Sequence, residues 1–163
     1  MAMTSDVPMR RAEPGDADAC AAILQDWLDE TPWMPDLHDL AATTAWMHGD
    51  LFRRSVVTLA EPGGIAGYLA RMPDGEIASF TVARGWRGRG IGTALLARAK
   101  AEAPSGLTLW TFQANAGAWA FYARAGFSEL CRTDGANDEG LPDVQLGWPA
   151  PAEALAERRG ATQ

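Results

Sequence analysis

Apolar residues recur along the chain with two periods, and these predict its elements. Cys20, Ile23, Leu24, Trp27 and Leu28 follow the i, i+3, i+4, i+7, i+8 stripe of an amphipathic helix, so Trp27 is read as core. Asp16 and Asp18 suit that helix's N-terminus, and Thr31-Pro32 ends it. A second helix is predicted from Leu37 or Asp39 to Arg53, and a third carries the stripe Ile91, Leu95, Leu96, Ala99 and Ala103. Short apolar runs bounded by turn residues predict strands at Met9–Ala12, Ser55–Ala60, Ile65–Met72 and Glu76–Val82. Gly63-Gly64 and Pro73-Asp74-Gly75 supply the turns between the last three. Further on come a strand at Leu107–Phe112, a helix from Ala116 to Ala125, and strands at Glu129–Thr133 and Asp143–Trp148. The order βααβββαβαββ is that of a mixed α/β fold with about seven strands and four helices.

The residues between the fourth strand and the third helix change this from architecture to chemistry. Val82 to Thr93 form a loop in which Gly88, Gly90 and Gly92 leave the backbone free of Cβ atoms at a helix start. Consecutive N–H groups can close around an anion there, and the helix dipole favours negative charge. From Ile77 to Ala101 there is no acidic residue, yet Arg84, Arg87, Arg89, Arg98 and Lys100 all fall inside this span. Guanidinium groups meet phosphate oxygens in a planar fork, so Arg84, Arg87 and Arg89 beside exposed amides read as a pyrophosphate cradle. Two common phosphate loops are excluded by spacing. A Walker A loop needs Lys before its Ser/Thr, where this chain has Gly92 before Thr93. A dinucleotide fingerprint begun at Gly88 needs Gly or Ala at position 93 and an acid further on.

Arg87-x-x-Gly90-x-Gly92 resembles the acyl-CoA pyrophosphate loop of the GCN5-related N-acetyltransferase (GNAT) superfamily. A second stretch resembles that superfamily's other motif: Asn115, then Phe121-Tyr122-x-x-x-Gly126-Phe127, after the strand Leu107–Phe112. The resemblance covers residues 9–148, with residues 1–8 read as an extended or disordered N-terminus and 149–163 as a tail. It implies the GNAT fold and acetyl-CoA as donor; apart from it, no His or Cys stands at metal-ligand spacing to Cys20 or Cys131, so no metal is expected. Arg84, Arg87, Gly88, Arg89, Gly90, Ile91, Gly92 and Thr93 would hold the pyrophosphate, and Asn115 the cofactor arm. Backbone N–H groups near Phe80 and Val82, freed by a bulge, would meet the thioester and its oxyanion. Tyr122 would protonate the leaving sulfur.

For each residue a plainer role stands beside the implied one. Tyr122 shares a helical face with Ala118, Phe121 and Ala125, and a buried Tyr commonly rests its hydroxyl on a partner. Asn115 can cap its helix, contact the cofactor, or both. Glu76, at the strand entrance, is the candidate general base or else a solvated turn acid; Ser79 and Thr81 are the other polar residues of that strand. A water chain, or an amine already neutral, would need no dedicated base. Acceptor choice is assigned to two segments. Trp33-Met34-Pro35, followed by His38, is either packing or a substrate wall. Asp134 to Asp143, with Asp138 and Glu139 in it, is either a solvated hairpin or a steering surface for a cationic amine.

Composition narrows the class. A net charge of −7 and a pI near 4.7 argue against a duplex nucleic acid partner, which needs a broad basic face. No apolar run approaches a membrane span, and residues 1–9 lack the regions of a signal peptide, so the chain is read as cytoplasmic. Cys20 and Cys131 are read as small buried hydrophobes rather than a disulfide or metal ligands. The function expected is acetyl transfer from acetyl-CoA to a primary amine of a small molecule. A protein N-terminal or lysine acetyltransferase and a non-catalytic acyl-CoA sensor are the alternatives. A homodimer is common for the implied fold, though no stripe advertises an interface.

Overall fold

The computed structural model describes residues 7–149, so the assignments for the first six residues and for the tail beyond Pro149 lie outside the described residues. The chain is mixed α/β and forms two compact units divided between Pro104 and Ser105.

The first unit contains β1 (Met9–Arg11), α1 (Ala17–Glu30), α2 (Leu40–Trp46), α3 (Phe52–Arg54), β2 (Val56–Ala60), β3 (Gly67–Arg71), β4 (Glu76–Val82) and α4 (Ile91–Glu102). A π-helical turn, Met47–Leu51, joins α2 to α3, so the predicted second helix runs on as one element. The strands pair antiparallel in chain order, and strand alternation divides the sheet into two apolar faces. Val57, Leu59, Tyr68 and Ala70 meet Ala17, Cys20, Ile23, Met47 and Leu51 from the helices. The alternate residues, with Gly67 and Leu69, face α4. A Cβ on Gly67 would stand 2.9 Å from the Thr81 carbonyl and 3.4 Å from the Ile91 side chain. Glycine at this point therefore lets the first turn of α4 close down on β3, which fixes where the glycine loop ends.

Two sequence expectations change here, the place of the β4 bulge and the burial of Trp27. In the same strand Ser79 and Thr81 share one partner: the fully buried Tyr68 hydroxyl lies 2.7 Å from Ser79 Oγ and accepts from Thr81 Oγ1 at 3.3 Å. Leaving that hydroxyl unpaired would cost about 1–3 kcal/mol, and its burial pushes the phenol up to about 12. The pairing of β3 with β4 is regular from Ser79 to Val82, and its irregularity lies upstream, where Ala78 is passed over between the Ala70↔Ser79 and Arg71↔Ile77 pairs. Trp27 is half-buried rather than core, with its ring edge-on to Trp33 at 6.0 Å.

The second unit contains β5 (Leu107–Phe112), α5 (Ala116–Arg124), β6 (Ser128–Thr133) and β7 (Asp143–Trp148), with β7 between β5 and β6 and both pairings antiparallel. Leu107, Leu109, Val144 and Leu146 are buried. The opposite face carries two rungs, Trp110–Gln145–Cys131 and Phe112–Asp143–Thr133. Cys131 is thereby a correction. It is exposed, because β6 has a neighbour on one side alone and this face is not covered there; its thiol lies 3.5 Å from the Gln145 side-chain oxygen.

Candidate functional site

In the first unit the predicted anion cradle is continuous with the end of β4. A 3₁₀ turn, Arg84–Trp86, follows the strand, and Gly88 and Gly90 take φ of +74° and +80°. Those angles are strained for residues with a Cβ. Gly90 caps α4, whose first intrahelical bond runs from Ala94 N–H to the Gly90 carbonyl at 3.0 Å. The amides of Ile91, Gly92 and Thr93 precede that bond at the positive end of a twelve-residue helix. Arg89 stacks its guanidinium over Trp86 at 5.2 Å.

The other two arginines have a partner that the local sequence does not show. Glu30, the last residue of α1, contacts Arg84 and Arg87, each at 2.5 Å. Arg87 also donates to the Val82 carbonyl at 3.2 Å. Partial burial works against the charge of Glu30, but Arg87 and Arg84 outweigh it and hold the carboxyl below the usual range. A carboxylate thus stands at the guanidinium forks where an anionic ligand would bind.

Of the remaining predicted residues of this unit, Val82 adjoins the loop through the Arg87 bond, and Glu76 is the one at the far end of β4. Phe80 and Val82 are in the regular half of β4, whereas Glu76 opens the strand, with its N–H on Asp74 Oδ1 at 2.9 Å. Six residue steps of an extended strand separate Glu76 from Val82, roughly 20 Å. Trp33 follows α1, three residues after Glu30.

In the second unit Asn115 caps α5, accepting from Ala118 N–H at 3.1 Å through Oδ1. That is its plainer role, and the bond leaves the amide NH2 group for another contact. Trp119 donates its indole N–H to the Phe112 carbonyl at 3.3 Å, tying α5 to the end of β5. Tyr122 lies two turns along α5, 8% exposed, between the rings of Phe121 and Phe127 at 5.3 Å each. Burial pushes its phenol above the ordinary tyrosine range.

The acidic loop of residues 134–142 joins β6 to β7 as a hairpin, with Asp134 and Asp138 exposed and its base held by side-chain bonds. The Asn137 side chain donates to the Leu141 carbonyl at 2.7 Å and to Asp143 Oδ2 at 3.0 Å, and accepts from Leu141 N–H at 3.2 Å. The Thr133 hydroxyl bonds Asp143 Oδ1, and Gln113 donates to the Asp143 carbonyl at 3.1 Å. Together the loop, the end of β5 and the start of β7 enclose a cleft of about 440 Å³. Trp110 and Phe112 line it from β5, Asn137 and Glu139 from the loop, and Asp143 from β7. Asp138, singled out with Glu139, is exposed and not among the lining residues. Asp143, 7% exposed, closes the acidic run in the sequence, and its position in a strand rung is what buries it.

These features can be set beside known proteins. The family model described as the acetyltransferase (GNAT) family matches residues 20–127. Among solved structures, the ribosomal-protein-alanine N-acetyltransferase from Brucella melitensis is 26% identical, with 86% of this chain and 98% of that chain covered and a TM-score of 0.67. YjaB from Escherichia coli, in its apo-form, is 19% identical over 89% of this chain and 99% of that one, with a TM-score of 0.73. The structure of yncA from Salmonella typhimurium with its cofactor acetyl-CoA is 18% identical over 90% and 95%, with a TM-score of 0.69. No protein of curated function matches the chain in sequence. The matched span contains the β4–loop–α4 cradle and the β5–α5 unit, and the chain belongs to the GNAT acetyltransferase family as an acyl-CoA-dependent acetyltransferase.

Proposed function

We propose that the protein moves an acetyl group from acetyl-CoA to a primary amine of a small molecule by direct transfer, in the cytoplasm. The observation that supports the donor half is the turn that Gly88 and Gly90 hold at positive φ, which leads into the first amides of α4 from a loop that also carries Arg84, Arg87 and Arg89. In this reading those groups bind the pyrophosphate, with Asn115 on the cofactor arm and backbone N–H groups of Phe80 and Val82 toward the thioester. The neutral amine nitrogen attacks the carbonyl carbon, the C–N bond forms and the C–S bond breaks. Tyr122 donates its hydroxyl proton toward the departing sulfur, and the amine loses a proton to water, with Glu76 as the terminal base. Glu76 acts through water because it opens β4 instead of standing at its loop end.

A second reading, acetylation of a protein N-terminus or lysine, rests on the name of the Brucella melitensis neighbour. Thiol release from acetyl-CoA, followed with small amines and with peptides, separates the readings. Release with small amines alone supports the proposal. Release with peptides alone supports the second reading, and none with any acceptor despite CoA binding leaves a sensor.

The Glu30 contact makes a further expectation of the donor site. If pyrophosphate binds Arg84 and Arg87, it must displace that carboxylate, so Glu30→Gln should bind CoA about threefold to tenfold more tightly, as expected for removing a partly buried ionic competitor whose partners are exposed. Calorimetric titration reads it directly. Weaker binding in the mutant would mean that Glu30 aims the arginines instead of competing for them.

A further inference from the structure

We propose that the cleft bounded by β5, β7 and the 134–142 loop is a subsite for a second cationic group of the acceptor. The acceptors are then amines with an additional ammonium or guanidinium group, and diamines are the simplest of them. The inference rests on the small-amine reading above and adds the substrate class.

The charges along the cleft have one sign. Its ionisable lining groups are Glu139 and Asp143, with no lysine, arginine or histidine among them. Asp143 is more than nine-tenths buried, and its carboxyl oxygens bond two neutral partners, the Thr133 hydroxyl and the Asn137 amide. No cation is within ion-pair distance of Asp143 among the described residues. A buried carboxylate with neutral partners alone is costly. Each of its oxygens has room for a second donor, so an ammonium entering the cleft finds acceptor capacity already directed and held.

The hydrogen bonds around Asp143 act as preorganisation. Asn137 is fixed by two bonds to Leu141, and Gln113 holds the backbone on the other side. The two oxygens therefore have little freedom to lose on binding. Trp110 and Phe112, one rung apart on the same face, line the cleft with aromatic surface that accepts the methylenes next to a cation. Trp110 is 42% exposed, so much of its side chain is open to a ligand.

The cation held here is not the amine that reacts. Only a neutral amine attacks a thioester, and a carboxylate in contact would stabilise the ammonium form and raise its pKa above the ordinary value near 10.4. Asp143 suits a group that stays charged throughout, leaving the other end of the molecule to lose its proton and react.

The test uses 1,4-diaminobutane and n-butylamine, which share a carbon chain and differ in the second charge. The wild-type protein should bind the diamine calorimetrically and acetylate it with the higher kcat/KM. Asp143→Asn should reduce that preference by about tenfold to a hundredfold, the usual range for a hydrogen-bonded charge. Asp143→Asn also touches the loop's own bonds, so Trp110→Ala provides the independent variant: it leaves those bonds in place and should weaken diamine binding severalfold with CoA affinity unchanged. Equal kcat/KM for the two amines in the wild type, or diamine binding indifferent to both substitutions, overturns the subsite while leaving the transferase reading intact. Diamine binding that both substitutions weaken, in a protein that acetylates no amine, supports the subsite and sinks the transferase reading instead.

Discussion

Gly92→Asp should abolish CoA binding, with a loss of at least about a hundredfold, in a protein that remains folded. Gly92 is the second residue of α4, inside the helix and without the positive φ of Gly88 and Gly90, so its backbone accepts a side chain. An acid in a first turn even favours the helix, by about 0.3–1 kcal/mol through the dipole. The same carboxylate would lie among the amides that begin α4 and would both occupy and repel a pyrophosphate. Gly90→Asp is the less clean experiment, since φ of +80° adds strain that confuses loss of fold with loss of ligand. Calorimetry with CoA, and with a pantetheine thioester lacking the nucleotide, reads the effect, and a thermal melt checks the fold. Undiminished CoA affinity in a folded mutant would show that the loop is merely a turn. Equal losses for both ligands would move the contact from pyrophosphate to pantetheine.

What was legible in the sequence depended on whether a feature is local. The strands and helices appeared because apolar period and turn residues act over a few positions, and Gly88 and Gly90 appeared because a left-handed backbone needs glycine at the position itself. Features that depend on chain return were not legible. The span from Ile77 to Ala101 looks purely cationic, yet Glu30 reaches Arg84 across 54 residues and neutralises part of it. Nothing near Glu30 marks it, since an acid at a helix end reads as solvated. Asp143 is similar. It closes a run of loop acids, but the Phe112–Asp143–Thr133 rung gives it a burial and a hydrogen-bond set that Asp134 and Asp138 do not have. Cys131 failed in the opposite direction, because alternation within β6 does not say whether anything covers the outer face of an edge strand. Ser79 and Thr81 show a third kind of limit: their partner is the Tyr68 hydroxyl on a neighbouring strand, so their structural role is invisible along β4 itself.

Tyr122→Phe should lower turnover by on the order of a hundredfold or more, the usual worth of a positioned proton donor, while CoA affinity barely changes. The ring, its contacts with Phe121 and Phe127 and its apolar burial all survive the substitution, and only the hydroxyl is lost. Burial bears on how that hydroxyl works. It pushes the phenol above its ordinary value near 10, so Tyr122 stays protonated at neutral pH and well into the alkaline range. The same shift makes full proton transfer to a departing thiolate, whose thiol has an ordinary pKa near 8.5, an uphill step. The hydroxyl is accordingly most effective as a hydrogen-bond donor to charge developing on sulfur, with the proton passing as the C–S bond opens. The pH profile then carries a specific expectation: because the neutral form persists, deprotonation of Tyr122 should not produce a basic limb at or below pH 10. The wild type and Tyr122→Phe should therefore differ in height more than in shape over that range. Single-turnover rates with acetyl-CoA bound, measured from pH 6 to 10, test this. Wild-type rates in the mutant, or a loss that tracks weakened CoA binding, would leave Tyr122 as a core aromatic. A basic limb near pH 8 that disappears with the hydroxyl would show a phenol far more acidic than its burial allows.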